Sequence, residues 1–345
     1  MLTNERLYLN ADEFGKMAED RDVSSKILRA VSFGQNANAA EWPFLHTNAQ
    51  IEPLGTVRHE VWLSDTPILR GRTEFAEWAR NDEFAVVRVA VPETAPGMTG
   101  PADASYAAYS SLFSVIHEHN FGNLIRIWNY IPDILAVAGP KIPKRDRERY
   151  RQFNAGRLRA WEDGGPRDGA GQPLRPAATG AGSAGQPLVL EALLSNDPVS
   201  YVENPRQMPA FQYPVKYGSK APAFARATLC NRPGYDELFI SGTGSITRSE
   251  TTHKGDVEGQ INEIIANFKA LIDEKNLSAY GSKGFRMDDF QMLRVYVNNQ
   301  ADYPIIRRRA EEAFGSALKT AYLRADLCRP DLLLEMEGVV RSKHD

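Results

Sequence analysis

The strongest constraint on the fold is a series of helices and strands that occurs twice, in the same order, along the chain. Apolar residues recur with helical spacing in some segments and alternate with polar residues in others, so that each half reads helix, strand, helix. The three elements are predicted over 103–120, 123–134 and 147–161 in the first half, and over 257–277, 291–303 and 304–318 in the second. Arg126 and Arg294 occupy the same point of the two strands. We therefore expect an internal duplication of an α+β unit.

The segment between the two halves has an unusual composition. It reads GGPRDGAGQPLRPAATGAGSAGQP (164–187) and consists largely of glycine, proline and alanine. This composition disfavours a packed element and predicts a mobile surface loop. The expected domains are residues 1–190, which include the loop, and residues 191–345.

Length and charge exclude several classes of protein. A chain of 345 residues is long enough for two domains, and a formal charge of -3 without a basic run gives no reason to expect nucleic acid or a membrane as partner. The first residues lack the pattern of a targeting signal, so we expect a cytoplasmic location. We also expect a monomer whose two halves are pseudo-symmetric. The two cysteines, Cys230 and Cys328, have no metal-binding spacing and are expected to be reduced thiols.

A glycine-rich stretch, LFISGTGSI (238–246), follows an apolar strand. It resembles the start of a phosphate-binding loop, but neither G-x-G-x-x-G nor G-x-x-x-x-G-K-[ST] is completed. The next helical pattern begins only near Val257, so no helix N-terminus is predicted to point at the glycines. We expect a turn at this point that serves some other ligand.

Four segments together resemble the chorismatase family. They are IRIWNYIPDI (125–134), RYRQFNAGR (149–157), FISGTGSI (239–246) and ADLCRPDLLLEMEG (325–338). The resemblance implies an α+β fold of two fused Rid (YjgF)-like halves, each a mixed β-sheet packed on one face by helices, in a chorismate-mutase-like architecture. It also implies that chorismate is cleaved to pyruvate and a ring acid without a cofactor or a metal.

Chorismate is a dianion with an enol ether, so a protein that cleaves it needs cationic groups and one acid. Glu335 and Glu337 flank Met336, and we expect them to face different environments, one of them a cleft or the core. Burial beside apolar side chains would raise the pKa of such a carboxyl group, as a proton donor at neutral pH requires. A solvated edge glutamate fits the sequence equally well. The resemblance assigns the proton to Glu335.

Arginine is the expected partner of the substrate carboxylates, because its planar fork donates two parallel hydrogen bonds. The resemblance assigns substrate binding to Tyr150, Arg157, Tyr213 and Arg308. Tyr217 lies close enough in sequence to take the place of Tyr213, and Arg126 and Arg294 are further candidates. A solvated helix face is the ordinary position of an isolated arginine.

The resemblance also implies which ring product forms. Family members that hydrolyse chorismate carry alanine at the position of Gly244, whereas the 3-hydroxybenzoate-forming branch combines glycine with a cysteine at the position of Cys328. Gly244 is expected to make room for the substrate ring. Cys328 is expected to assist proton movement, with a thiol pKa lowered by neighbours such as Arg324, although a free cysteine also commonly serves as a small buried hydrophobe.

Other functions fit parts of this pattern. One is a hydrolytic chorismatase that forms a dihydroxycyclohexadiene carboxylate, and another is an enzyme that forms a mixture of 3- and 4-hydroxybenzoate. A Rid-like imine or enamine hydrolase and a non-catalytic ligand-binding protein come from other classes. The fused halves and the two arginines favour a larger dianion over an imine, and an acid at Glu335 argues against a binding module.

Overall fold

In the part of the chain that the structure describes, three large β-sheets face one another across a common core, and a fourth sheet has only two short strands. The computed structural model describes residues 5–34, 42–137 and 142–344. Within these ranges no helix combines the length and the apolar character needed to cross a membrane.

The first sheet belongs to a small N-terminal unit. Its elements are β1 (Arg6–Leu9), α1 (Ala11–Glu19), α2 (Arg21–Ser24), β2 (Ile27–Ser32), β3 (Leu45–Asn48), β4 (Glu52–Pro53) and β5 (His59–Leu63). The strand order is β1-β5-β2-β3, while β4 joins another sheet. Helix α1 begins where the Asn10 side chain accepts a hydrogen bond from Glu13 N, and its apolar face covers this sheet.

The second sheet is built by the first half of the predicted duplication. Its elements are β6 (Leu69–Arg72), β7 (Ala76–Arg80), β8 (Phe84–Val91), α3 (Pro101–Glu118), β9 (Asn123–Pro132), α4 (Arg149–Gly164), β10 (Ala177–Ser183) and β11 (Leu188–Ser195). The strand order is β10-β9-β11-β8-β7-β6. Helices α3 and α4 cover the outer face of this sheet, because the apolar side chains of both form one cluster with β8, β9 and β11.

The third sheet repeats this arrangement in the second half. Its elements are β12 (Val199–Val202), β13 (Ala227–Arg232), β14 (Tyr235–Gly244), β15 (Ile246–Thr247), β16 (Glu250–Thr251), α5 (Val257–Ile272), α6 (Glu274–Leu277), β17 (Phe290–Val297), α7 (Tyr303–Phe314), β18 (Thr320–Arg324) and β19 (Leu334–Lys343). The large sheet has the order β12-β13-β14-β19-β17-β18-β4. β18 corresponds to β10, β17 to β9, β19 to β11 and β14 to β8, with the same parallel and antiparallel pairings. The predicted duplication is confirmed.

The N-terminal unit follows the same order in a shortened form. β2 pairs in parallel with β3 and antiparallel with β5, and β5 pairs antiparallel with β1. Arg29 on β2 therefore corresponds to Arg126 on β9 and Arg294 on β17. The residues opposite these arginines are Trp62, Leu193 and Glu337. On β5, β11 and β19, two residues before Trp62, Leu193 and Glu337, the chain has a glutamate in each case. These three glutamates, Glu60, Glu191 and Glu335, share one register position.

Buried charges fill part of the space between the three sheets. Arg29 pairs with Glu60 at 2.9 Å and with Glu191 at 2.6 Å. Arg294 pairs with Glu60 as well, which closes a chain of ion pairs across all three units. Although burial alone would raise it, Arg294 and Arg29 lower the pKa of Glu60 to about 2. Arg126 and Arg294 thus belong to the core between the sheets.

Two expectations about the region between the halves are wrong. Ala177–Ser183 form β10, a buried parallel strand, so 164–187 is not a loop without packed elements. The predicted division at residues 190 and 191 falls inside β11, which pairs with β8 and β9 throughout its length. We therefore propose to divide the halves after Ser195.

The G-x-G stretch also differs from its prediction. Gly242 and Gly244 lie inside β14 and not in a turn. The pairing of β14 with β19 shifts register between Ile240 and Thr243, so the glycine-containing end of the strand is displaced from the regular ladder. Helix α5 begins further on, where Asp256 accepts a hydrogen bond from Gly259 N at 3.0 Å.

Candidate active site

A cavity of about 360 Å³ lies between the first and second halves. Such a volume falls within the roughly 300 to 1,000 Å³ of small-ligand pockets. Helix α4 and strand β10 form one wall, and β14, the start of β19 and the segment 328–331 form the other. The two walls meet where Ala178 N donates a hydrogen bond to Ser241 Oγ at 3.0 Å.

Six of the seven side chains or glycines assigned from the sequence line this cavity. They are Tyr150, Arg157, Tyr213, Gly244, Cys328 and Glu335. Tyr217, the alternative to Tyr213, lines it as well, and the two rings lie 5.7 Å apart. The structure therefore brings together residues that are separated by up to 185 positions in the chain.

Arg308 is the exception. It lies on the exposed face of α7, where its guanidinium pairs with Glu258 at 2.7 Å and Glu312 at 3.1 Å. It is not among the residues that line the cavity. Three successive arginines on a helix point in different directions, and in the middle of α7 the side chain of Arg308 points to solvent. The assignment of Arg308 to substrate binding is corrected accordingly.

Glu335 lies at the start of β19, opposite Gly244 on β14 and Tyr296 on β17. Only 5% of the residue is exposed. Within the described part of the chain, no hydrogen bond or ion pair joins its carboxyl group to another residue. Burial, and secondarily the charge of Glu337, raise the pKa of Glu335 to about 8. The group therefore carries a proton at neutral pH and faces the cavity.

Glu337 shares its face of β19 with Glu335, because residues two apart in a strand point to the same side. The two side chains therefore point to the same side of the strand, yet they face different environments, as expected. Glu337 is directed to the core between the sheets, where Arg126 lies at 2.7 Å and Arg294 at 3.1 Å. One face of the strand thus carries a paired carboxylate beside an unpaired one.

Glycine at position 242 is required by the position of Glu335. A Cβ atom there would overlap the Glu335 carboxylate and lie 2.9 Å from Thr179 Cγ2. Gly242 N donates a hydrogen bond to Thr179 Oγ1 at 2.9 Å, which fixes β14 to β10 beside the acid. At Gly244 a Cβ atom would lie 3.0 Å from the methyl groups of Leu332. Gly242 thus leaves the space that the Glu335 carboxylate occupies, whereas a side chain at Gly244 would be directed against Leu332.

Of the residues that the structure describes, four arginines line the cavity, and one of them, Arg151, is paired with Glu148 at 2.8 Å. The other three donate hydrogen bonds to carbonyl or hydroxyl oxygens. Arg157 donates to the carbonyl of Ala223, and Arg226 donates to Tyr213 Oη at 2.8 Å. Arg329 donates to Ser249 O at 2.9 Å and lies 3.9 Å from the ring centre of Tyr217. Arg226 Nε and Arg329 Nη2 are buried and have no hydrogen-bond partner within the described residues. Both arginines line the cavity, which makes them candidate partners of an anionic ligand.

Arg226 and Arg329 were not identified from the sequence. Arg226 lies just before β13, and Arg329 lies in the loop that precedes β19, so neither belongs to a periodic pattern. The one available signal was the position of Arg329 directly after Cys328.

Cys328 lies against Tyr150 and Glu335 at the cavity wall. Burial, together with the charge of Glu335, raises the pKa of the Cys328 thiol to about 12. Arg324, which was expected to lower it, pairs with Asp326 at 3.2 Å instead. The thiol therefore stays protonated over the physiological range, contrary to the expected lowering.

The segment 209–222 covers the cavity. It contains two short 3₁₀ turns, Ala210–Gln212 and Val215–Tyr217. Polar contacts at the surface hold it, since Lys216 pairs with Glu250 at 2.6 Å and Ser219 N donates to Asp146 at 2.7 Å. Among the described residues there is no group of three or more His, Cys, Asp or Glu side chains placed to hold a metal ion.

Comparisons with known proteins agree with this geometry. A family model described as "Chorismatase FkbO/Hyg5-like, N-terminal" matches residues 60–194. A 3-hydroxybenzoate synthase from Streptomyces hygroscopicus is 34% identical over 341 residues, covering 92% of this chain and 92% of the relative. A chorismatase from the same organism is 35% identical, covering 81% of this chain and 78% of the relative. The crystal structure of a chorismatase is similar with a TM-score of 0.82 and 28% identity, and the match covers 98% of each chain.

Proposed function

The chain belongs to the chorismatase family, and from this premise we propose that it cleaves chorismate to 3-hydroxybenzoate and pyruvate. The observation that carries the proposal is the buried carboxyl group of Glu335, which keeps its proton at neutral pH and faces a cavity with arginines on its walls. An enol ether is cleaved after protonation of its carbon, which is the step that such an acid supplies.

The charge distribution of the cavity supports a dianionic substrate. Chorismate carries one carboxylate on its ring and one on the enolpyruvyl group. Arg226 and Arg329 each direct a buried N–H without a protein partner, and Arg157 lies on the opposite wall. We assign the two carboxylates to these arginines, with the phenol groups of Tyr150 and Tyr213 as neutral hydrogen-bond donors.

The proposed reaction requires no group from outside the chain and the substrate. Glu335 transfers its proton to the methylene carbon of the enolpyruvyl group, which weakens the bond between ring C3 and the ether oxygen. The oxygen of the neighbouring C4 hydroxyl bonds to C3 and its proton passes to the Glu335 carboxylate, while the bond between C3 and the ether oxygen breaks and pyruvate leaves. The resulting arene oxide opens and regains aromaticity as 3-hydroxybenzoate. The sum of the two products equals chorismate.

Gly244 and Cys328 are proposed to select this product over hydrolysis. Both line the cavity near Glu335, so they are placed to contact a ring bound there. With a pKa raised to about 12, Cys328 acts in this proposal as a neutral thiol that donates and regains a proton, and not as a thiolate. We also propose that the protein acts as a monomer with two pseudo-symmetric halves.

Incubation of the purified protein with chorismate tests the function. Pyruvate is measured with lactate dehydrogenase and NADH, and the ring products are separated by chromatography and identified by mass. We expect equal amounts of pyruvate and 3-hydroxybenzoate, and release of both that is slower by roughly 10²- to 10⁴-fold with Glu335→Gln. A dihydroxycyclohexadiene acid, heavier by one water, would assign the chain to the hydrolytic type. An enzyme that releases no pyruvate would refute the proposal.

A further inference from the structure

Glu337 is buried, charged and adjacent to Glu335, yet it does not line the cavity. Four side chains contact its two carboxylate oxygens, through hydrogen bonds or ion pairs. Trp128 Nε1 donates to Oε1 at 2.8 Å, Arg294 Nη1 lies 3.1 Å from Oε1, Arg126 Nη2 lies 2.7 Å from Oε2, and the Thr179 hydroxyl donates to Oε2. Three of these side chains come from the first half, so Glu337 joins both halves beneath the cavity floor.

Arg126 is the group that connects this cluster to Glu335. Its Nη2 is held by Glu337, while its Nη1 is buried without a hydrogen-bond partner among the described residues. The charges of Arg126 and Glu335 act on each other, since each changes the pKa of the other. A guanidinium that was released from Glu337 would have Glu335 as the nearest uncompensated carboxyl group on the same strand face.

We propose that Glu337 is a positioning residue that keeps the proton on Glu335, by holding Arg126 and Arg294 in ion pairs and by placing a fixed negative charge beside the acid. The inference rests on the proposed function, in which Glu335 must be protonated before each turnover. Thr179 supports the arrangement, because its hydroxyl bonds both Glu337 and the backbone of Gly242 next to Glu335.

The other groups around Glu335 are consistent with this role. From the surrounding elements, the charged or titratable groups that act on it are Glu337, Arg126, Arg226, Arg329, Cys328 and Tyr150. Burial is the largest cause of its raised pKa and Glu337 is the second, whereas the three arginines oppose them. Burial also raises the pKa values of the Cys328 thiol and the Tyr150 phenol, so neither titrates between pH 6 and 9.

Direct titration of Glu335 tests the proposal without relying on turnover. The protein is labelled with 13C at the glutamate carboxyl carbons, and the Glu335 signal is assigned as the one missing from Glu335→Gln. In Glu337→Gln, which keeps the shape and the acceptor oxygen, we expect the Glu335 midpoint to fall by about 1 to 3 pH units, as an uncompensated cation nearby causes. In Arg126→Gln the midpoint should rise.

Two controls separate this effect from a general loss of packing. Glu191 occupies the register position of Glu335 in the first half, and Glu191→Gln breaks its buried ion pair with Arg29. This variant should leave the titration midpoint of Glu335 unchanged. Glu203→Gln removes a carboxyl group whose pKa burial raises to about 7, and identifies any titration near neutral pH that belongs to it. An equal shift in Glu191→Gln would overturn the proposal.

The activity profile gives a second, independent result. If chorismate is the substrate, the alkaline limb of kcat/KM reports Glu335 in the free enzyme and should move in each variant in the direction of the NMR midpoint. Unshifted NMR midpoints in Glu337→Gln and Arg126→Gln would refute the role of Glu337. If Glu337→Gln does not fold, Arg126→Gln decides alone. A higher Glu335 midpoint in this variant supports the proposal, and an unchanged midpoint refutes it. Shifted midpoints in a protein that does not cleave chorismate would refute the proposed function and leave the charge coupling intact.

Discussion

Replacing Glu335 by glutamine should make the protein more stable at alkaline pH while it removes the acid. The native carboxyl group has a pKa of about 8, against an ordinary value of 4.5. Between these pH values the native state keeps a proton that the unfolded chain has lost, so the free energy of unfolding of the wild type falls as the pH rises from 4.5 to 8. The full difference corresponds to about 5 kcal/mol. Glutamine has the same size and no charge, so the free energy of unfolding of Glu335→Gln does not fall in this way as the pH rises.

Urea unfolding at pH 5, 7 and 9 measures the effect. The two proteins should differ little at pH 5, and Glu335→Gln should exceed the wild type by several kcal/mol at pH 9. Glu237→Gln provides a control of opposite sign, because Arg6 and Arg341 hold the pKa of this buried carboxyl at about 2 although burial alone would raise it. Its stabilising contribution is complete above pH 4.5 and is lost only as the pH falls toward 2. Glu237→Gln should therefore be less stable than the wild type by a constant amount from pH 5 to 9.

Pyruvate release from chorismate is measured with Glu335→Gln. A general acid contributes roughly 10²- to 10⁴-fold, so the rate should fall by this factor below pH 8, where the wild-type carboxyl group carries its proton. A stability difference that does not grow with pH would show that Glu335 is already ionised in the native state. Turnover close to that of the wild type would remove Glu335 from the mechanism.

The other substitutions test the walls of the cavity. Arg226→Gln should raise the KM for chorismate at least about 30-fold, corresponding to about 2 kcal/mol of lost binding, while Arg308→Gln should leave KM unchanged. An effect of the same size at both positions would place the substrate elsewhere. Gly242→Ala should lower pyruvate release at least tenfold, because its methyl group displaces the Glu335 carboxylate, and Gly15→Ala on α1, where nothing lies within 4 Å, should have no effect on the rate. The double variant Gly244→Ala, Cys328→Ala should still release pyruvate but shift the ring product toward the dihydroxycyclohexadiene acid, and a product unchanged by mass would locate the selection at other residues.

The duplicated halves could be predicted because their helices and strands carry regular apolar patterns. Strand β10 could not, since its sequence AATGAGS has the composition of a loop. The structure supplies the reason for its small residues. A Cβ atom at Gly180 would lie 3.3 Å from the Tyr150 ring, and one at Gly182 would lie 3.0 Å from the carbonyl oxygen of Asp326. Glycine here reflects close packing, against α4 at Gly180 and against the second half at Gly182, whereas the sequence pattern was interpreted as flexibility.

The candidate site was predicted where a distinctive motif marked the residue. Glu335, Cys328 and Tyr150 belong to such segments, and all three line the cavity. Arginine gives no comparable signal, because its position on a helix or in a loop determines whether it faces solvent or a ligand. Arg308 was chosen from a run of three arginines, while Arg226 has no such marker and lies where β13 meets the cavity.

The common register position of Glu60, Glu191 and Glu335 has a consequence for how a site of this kind can exist at all. In an assembly of three identical subunits, a carboxylate released from its arginine would be released three times, and the cost in folding stability would be tripled. Joining the units in one polypeptide removes this symmetry. Two of the glutamates, Glu60 and Glu191, have ion pairs that hold the sheets together, and only the third, Glu335, is left for the role of proton donor that we propose.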